Sequence, residues 1–126
     1  MSGETILIIE DNEKNLKLMR DILQFKGYHT LEAETAEEGI RIARESIPDL
    51  VLLDIQLPGM NGIEALGVLR GDADTAGIPA IAVTASVMTH DRGKLIEAGF
   101  DDYQSKPIEI KEFLDRVEQM LEAGRS

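Results

Sequence analysis

Leu50-Val51-Leu52-Leu53 is a run of four apolar residues with Pro48-Asp49 before it and Asp54 after it. It is too short for a core helix and shows no alternation, so it reads as a central strand buried on both faces. Thr5-Ile6-Leu7-Ile8-Ile9 has the same character and is rich in β-branched residues. Strands of this kind need helices above and below them. What lies between such runs therefore decides the fold.

Helical patterns fill those intervals. Leu16, Met19 and Leu23 recur at helical spacing, Ile22 and Phe25 widen the stripe, and Gly27 ends it. Tyr28 to Ala33 is a shorter, more polar strand expected at a sheet edge. Thr35-Ala36-Glu37-Glu38 has the form of a capping box. Ile40, Ala43 and Ile47 carry the second helix up to Pro48. Pro58-Gly59 makes a turn, and Asn61 is placed to cap a third helix bearing Ile63, Leu66 and Leu69. Pro79 to Val83 reads as a fourth strand. Met88 to Ala98 follows as a fourth helix stopped by Gly99. Phe100 to Gln104 reads as a fifth strand. Ile110, Phe113, Leu114, Val117 and Leu121 lie on one face of a last helix. Five strands alternating with five helices predict an α/β fold, a doubly wound five-stranded parallel sheet.

The 126 residues fit one domain, and no repeat or linker divides them. Gly71 to Gly77 is a polar loop within that domain. Only Gly124-Arg125-Ser126 follow the last helix, so residues 1–126 are expected to form a single domain with no output domain. With no cysteine, disulfides and thiolate metal sites are excluded. No signal peptide or membrane-length apolar run is visible, so a cytoplasmic protein with no membrane contact is expected. The net charge of −11 disfavours a nucleic-acid partner, which needs a basic surface.

Ligands of doubly wound sheets sit beyond the carboxyl ends of the strands. Strand one runs into Glu10-Asp11, strand three ends at Asp54, strand four ends at Thr84-Ala85, and Lys106-Pro107 follows strand five. Singly these are ordinary residues. A lone strand-end Asp forms turns, and Asp11 and Asn12 are both candidates to cap the first helix. Together they make one rim. Two carboxylates about 5 Å apart repel by roughly 3 kcal/mol at an effective dielectric of 20. Three need cations: Lys106 supplies one charge, and a divalent ion bound by oxygen, Mg²⁺ first, would supply two. Cations plus a hydroxyl donor suit phosphoryl transfer, with a carboxylate as nucleophile.

These segments resemble the response-regulator receiver domains of bacterial two-component systems. The resemblance is carried by Ile8-Ile9-Glu10-Asp11-Asn12 and by Leu53-Asp54-Ile55-Gln56-Leu57-Pro58-Gly59-Met60-Asn61-Gly62. It continues through Val83-Thr84-Ala85 and Asp102-Tyr103-Gln104-Ser105-Lys106-Pro107. It covers about residues 4 to 123 and is nearest the small DivK-type regulators and the receivers of hybrid histidine kinases. It implies strand order 2-1-3-4-5 and phosphorylation of Asp54 by a histidine kinase or histidine phosphotransfer protein. It further implies Mg²⁺ held by Asp11, Asp54 and the carbonyl of Gln56, with Glu10 acting directly or through water. Thr84, Ala85 and Lys106 would bind the phosphate, Thr84 and Tyr103 would form the switch, and Lys106-Pro107 would be cis. Output would pass to a protein target through the fourth helix, fifth strand and fifth helix, from a monomer or weak dimer. Gln56 and Ser86 stand where water access to the site would be tuned.

Other readings fit less well. Aspartyl-nucleophile phosphohydrolases carry a second Asp two residues after the nucleophile; here that place is Gln56, which cannot serve as an acid or base. A flavodoxin-like cofactor binder would meet an acidic first loop, Glu10 to Glu13, that repels a cofactor phosphate. A receiver that signals without phosphate would not need every charged member of the set.

Overall fold

A computed structural model describes residues 3–85 and 89–123, with backbone alone at 89–92. Met1-Ser2, Ser86, Met88 and Gly124-Arg125-Ser126 lie outside the described residues. The chain alternates as expected: β1 (Thr5–Ile9), α1 (Glu13–Phe25), β2 (His29–Ala33), α2 (Ala36–Ser46), β3 (Leu50–Asp54), α3 (Gly62–Gly71), β4 (Ala80–Thr84), α4 (Thr89–Ala98), β5 (Asp102–Ser105) and α5 (Ile110–Ala123). All pairings are parallel, in the order β2-β1-β3-β4-β5. Every residue of β3 and β4 is buried, whereas β2, with its polar sequence, lies at an edge.

Strand alternation divides the interior into two cores. Leu7, Ile9, Val51, Leu53 and Ala82 face Ile40, Ala43, Leu66, Leu69 and Leu95 from α2, α3 and α4. Ile6, Ile8, Leu50, Leu52, Ile81 and Val83 face Leu16, Met19, Leu23, Phe113 and Val117 from α1 and α5. Each such side chain contributes about 1.5–3 kcal/mol when fully buried. The two helical layers thus hold the sheet rigid from both sides and leave the strand ends to form a fixed rim.

Several expected core positions are instead at the surface. Phe25 is 89% exposed. Nine residues beyond Leu16, at about 100° per residue, it points from the opposite side of α1. Ile63 lies about 60° from Leu66 and about 120° from Leu69 around α3, at the margin of the buried stripe, and is partly exposed. Ile110 is in phase with Phe113 and Val117 but occupies the first position of α5, past the end of β5, and is exposed. Ile47 does not continue α2; it caps it with left-handed backbone, φ 45°, because Pro48 disfavours helix at the residue before it.

Caps set the helix starts. The Asn12 side chain accepts from the Asn15 N–H, so Asn12 rather than Asp11 caps α1 and the Asp11 carboxylate is left to the rim. Thr35 caps α2 by accepting from Glu38 N–H, but the Glu38 side chain accepts from Glu34 N–H, outside a reciprocal box. The full capping box is at α3, between Asn61 and Glu64. Gly27 and Gly99, with φ of 93° and 110°, turn the chain after α1 and α4 as expected.

The polar Gly71–Gly77 loop is more ordered than its composition implies. Thr75 is fully buried and donates to Leu69 carbonyl oxygen at 2.6 Å. Arg70 donates to the carbonyl oxygens of Ala76, Ile78 and Gly99 and to Asp101 Oδ2. One guanidinium thereby ties α3 to the chain entering β4 and β5.

Candidate functional site

Parallel pairing brings the carboxyl ends of β1, β3, β4 and β5 to one rim. Asp54 is the last residue of β3 and is 3% exposed. Its Oδ1 accepts the Gln56 backbone N–H at 2.9 Å, which fixes the carboxylate's rotation. Its Oδ2 accepts from Lys106 Nζ at 3.3 Å. Glu10, which follows β1, is fully buried, and its Oε1 lies 3.0 Å from the same ammonium. Glu10 Oε2 accepts the Asn12 N–H at 3.2 Å. Asp11 is exposed, and carboxylate oxygens of Glu10, Asp11 and Asp54 lie within 4.8 Å of one another.

The charges of this cluster do not balance. One ammonium faces three carboxylates. Burial pushes the Glu10 carboxyl up from its ordinary 4.5 to about 7, and the neighbouring Asp54 adds to the rise; Lys106 opposes it. Burial disfavours the Lys106 cation, yet the contacts with Glu10 and Asp54 outweigh this and its pKa is raised. A hard divalent cation would relieve the same imbalance. The donor set fits one, since it contains only oxygens and includes an exposed carboxylate through which water can enter.

The other expected site residues lie in or just after β3, β4 and β5. Thr84 ends β4 and is buried, while Ala85 and Gln56 are exposed. Lys106 N–H donates to Thr84 carbonyl oxygen at 2.8 Å, and Ile55 N–H to Val83 carbonyl oxygen at 3.1 Å, so backbone bonds tie the three segments together. The Lys106-Pro107 peptide bond is cis, as expected. Tyr103 is half-buried, paired with Ala82, while Thr84 pairs with Ser105. A step of two residues puts Thr84 and Tyr103 on one face of the sheet.

Two contributors were not singled out from the sequence. Gly62 lies against the strand end: a Cβ there would fall 2.5 Å from the Asp54 carbonyl oxygen and 2.8 Å from Ile55 Cα. A poor helix former placed directly after the Asn61 cap was the available signal. Arg116 stands over the Tyr103 ring, 5.5 Å from its centroid. Nothing in the spacing of α5 distinguishes it from a solvated arginine.

Comparison with known proteins agrees with this geometry. The family model for the response regulator receiver domain matches residues 6–118. The polar-differentiation response regulator DivK of Brucella ovis is 40% identical over 118 residues, covering 94% of this chain and 96% of its own. Among solved structures, the receiver domain of a sensor histidine kinase from Pseudomonas aeruginosa superposes with a TM-score of 0.88 at 28% identity, over 96% of this chain and 99% of its own. That structure has a magnesium ion coordinated in its active-site cleft. A CheY-like response regulator receiver domain protein from Methanospirillum hungatei gives 0.88 at 31% identity, over 97% and 96%. The alternating fold, its strand order and the acidic rim around Asp54 are those of a phosphorylation-activated signalling switch, and the chain belongs to the response-regulator receiver domain family.

Proposed function

We propose that Asp54 accepts the phosphoryl group, from the phosphohistidine of a histidine kinase or a histidine phosphotransfer protein. The observation that carries this reading is the presentation of Asp54: buried, its rotation fixed by Gln56 N–H, and its second oxygen held by Lys106. A carboxylate oxygen of Asp54 forms the O–P bond as the donor's N–P bond breaks, and the imidazole leaves with the electron pair and takes up a proton. Asp11, Asp54, the Gln56 carbonyl and Glu10, directly or through water, would hold Mg²⁺. When bound, it supplies positive charge to the phosphoryl oxygens. Lys106 pairs with one phosphoryl oxygen, and the Thr84 hydroxyl and Ala85 backbone bind others.

The phosphoryl group brings nearly two negative charges and three strong acceptors. It draws Thr84 toward the site, and Tyr103, on the same face, turns into the space behind it. The surface of α4, β5 and α5 changes, and a downstream protein reads that change. Gln56 stands where a hydrolytic enzyme would need an acid or base, which supports a switch over a turnover enzyme. We read the chain as a single, cytoplasmic receiver domain, a monomer or weak dimer, with neither nucleic acid nor membrane as partner. Among the described residues no helix is long and apolar enough to cross a membrane.

Incubation with Mg²⁺ and a small acyl phosphate, read by intact mass, tests the assignment. Wild type should gain one phosphoryl group and Asp54→Asn none. Phosphorylation of both, or of neither, would refute it.

A further inference from the structure

The route by which Tyr103 would turn is guarded by a residue on the other side of the sheet. α5 packs on the face that carries Ile81 and Val83, through Phe113 and Val117. Tyr103 packs on the opposite face, with the core that contains Ala82 and Leu95. β5 is the edge strand, so a long side chain on α5 can pass around it. Arg116 does so. Its Nη1 donates to Asp102 Oδ1 at 3.0 Å, its Nη2 lies 3.5 Å from Glu112 Oε1, and its guanidinium carbon stands 5.5 Å from the Tyr103 ring centroid. Glu112 also accepts from Gln104 Nε2 at 3.3 Å. The guanidinium is therefore anchored at the strand edge by two carboxylates while it faces the ring.

We propose that Arg116 is a positioning residue that holds Tyr103 in its unphosphorylated placement and so sets how readily the switch is thrown. The inference rests on the reading of Asp54, Thr84 and Tyr103 given above. In the present placement the ring gains a cation–π contact with a partly exposed arginine. When Tyr103 turns toward Thr84 it gives that contact up, while Arg116 keeps Asp102 and Glu112. The contact exists in one state only, so it biases the equilibrium. A contact of this class shifts a two-state ratio by roughly two- to fivefold. By linkage, loss of the contact makes an acyl-phosphate mimic at Asp54 bind more tightly by the same factor.

The test measures binding of beryllium fluoride in the presence of Mg²⁺ by ¹⁹F NMR, in the full chain. Arg116→Gln is expected to bind roughly two- to fivefold more tightly than wild type, and the gain should vanish in a Tyr103→Leu background. In a Tyr28→Phe background, where Tyr103 is the only tyrosine, Arg116→Gln should also lower acrylamide quenching of its emission before any mimic is added. Unchanged or weaker binding overturns the proposal. An equal gain in the Tyr103→Leu background also overturns it, since the effect would not pass through the ring. Binding that persists in Asp54→Ala, or is absent from wild type, refutes the assignment of Asp54 itself and removes the basis of this inference.

Discussion

Glu10 carries no exposed surface yet must share one ammonium with Asp54, and burial raises its pKa to about 7. The folded protein therefore holds the Glu10 proton more tightly than the unfolded chain does. The resulting stability is complete below the ordinary value of 4.5 and is lost as pH rises through about 7. Glu10→Gln lacks this proton. Denaturant midpoints taken in chelator from pH 4 to 8 should show wild type losing ground to Glu10→Gln across that window and holding level above it. Parallel curves would show that folding leaves the Glu10 pKa unchanged. Gly62 makes the second residue-scale case. The atoms a Cβ would strike are backbone, of Asp54 and Ile55, and cannot rotate away. Gly62→Ala should destabilise by about 1–3 kcal/mol and slow phosphorylation by moving Asp54, readable by chemical denaturation and intact mass. A fully stable, normally phosphorylated variant would contradict the close approach.

Among the described residues, α2 alone ends on a non-glycine residue with left-handed backbone. Ile47 adopts φ 45° and ψ 68°, a conformation costly for a β-branched residue, and its side chain is nearly half exposed. Asn tolerates this backbone and avoids glycine's entropy. Ile47→Asn should raise stability by about 0.5–1 kcal/mol, visible as a higher thermal midpoint, with no change in phosphorylation because α2 ends at the opposite end of the sheet from Asp54. A lower midpoint would mean that the partly covered isoleucine matters more than its backbone. α3 has the opposite design. Its Asn61–Glu64 capping box starts the helix directly beneath the Asp54 loop, and Arg70 in its last turn clamps the entries to β4 and β5. Both ends of α3 thus serve the placement of the rim.

For the molecule as a whole, the site is a concentration of negative charge on a chain that already carries a net charge of −11. A divalent cation that binds only the folded rim stabilises by mass action, about 2.7 kcal/mol at 100 times its Kd. For a domain of this size that is a rise of roughly 10 °C in Tm. Mg²⁺ should produce such a rise beyond that of monovalent salt at equal ionic strength. Asp54→Asn should melt higher than wild type without metal, because one repelling charge is gone, and gain much less from Mg²⁺. Equal shifts in both proteins would place the stabilising ion elsewhere on the acidic surface.

What could be read from the residues alone was whatever depends on local pattern. The apolar runs at β1 and β3 could only be strands buried on both faces. Their alternation with helices required a parallel sheet, and a parallel sheet must gather its strand ends, so Glu10, Asp11, Asp54, Thr84 and Lys106 could be placed together. Phase along a helix was legible too, but the sequence reading counts Phe25 with the buried stripe of α1, although nine residues at about 100° each put it opposite Leu16, and it is exposed. Tertiary structure alone decided what depends on distance between elements. The burial of Glu10 against one shared ammonium, the 2.5 Å approach at Gly62 and the reach of Arg116 around the edge strand to Tyr103 are such cases. Each is set by how closely two remote segments approach, and the spacing of residues along a chain carries no measure of that approach.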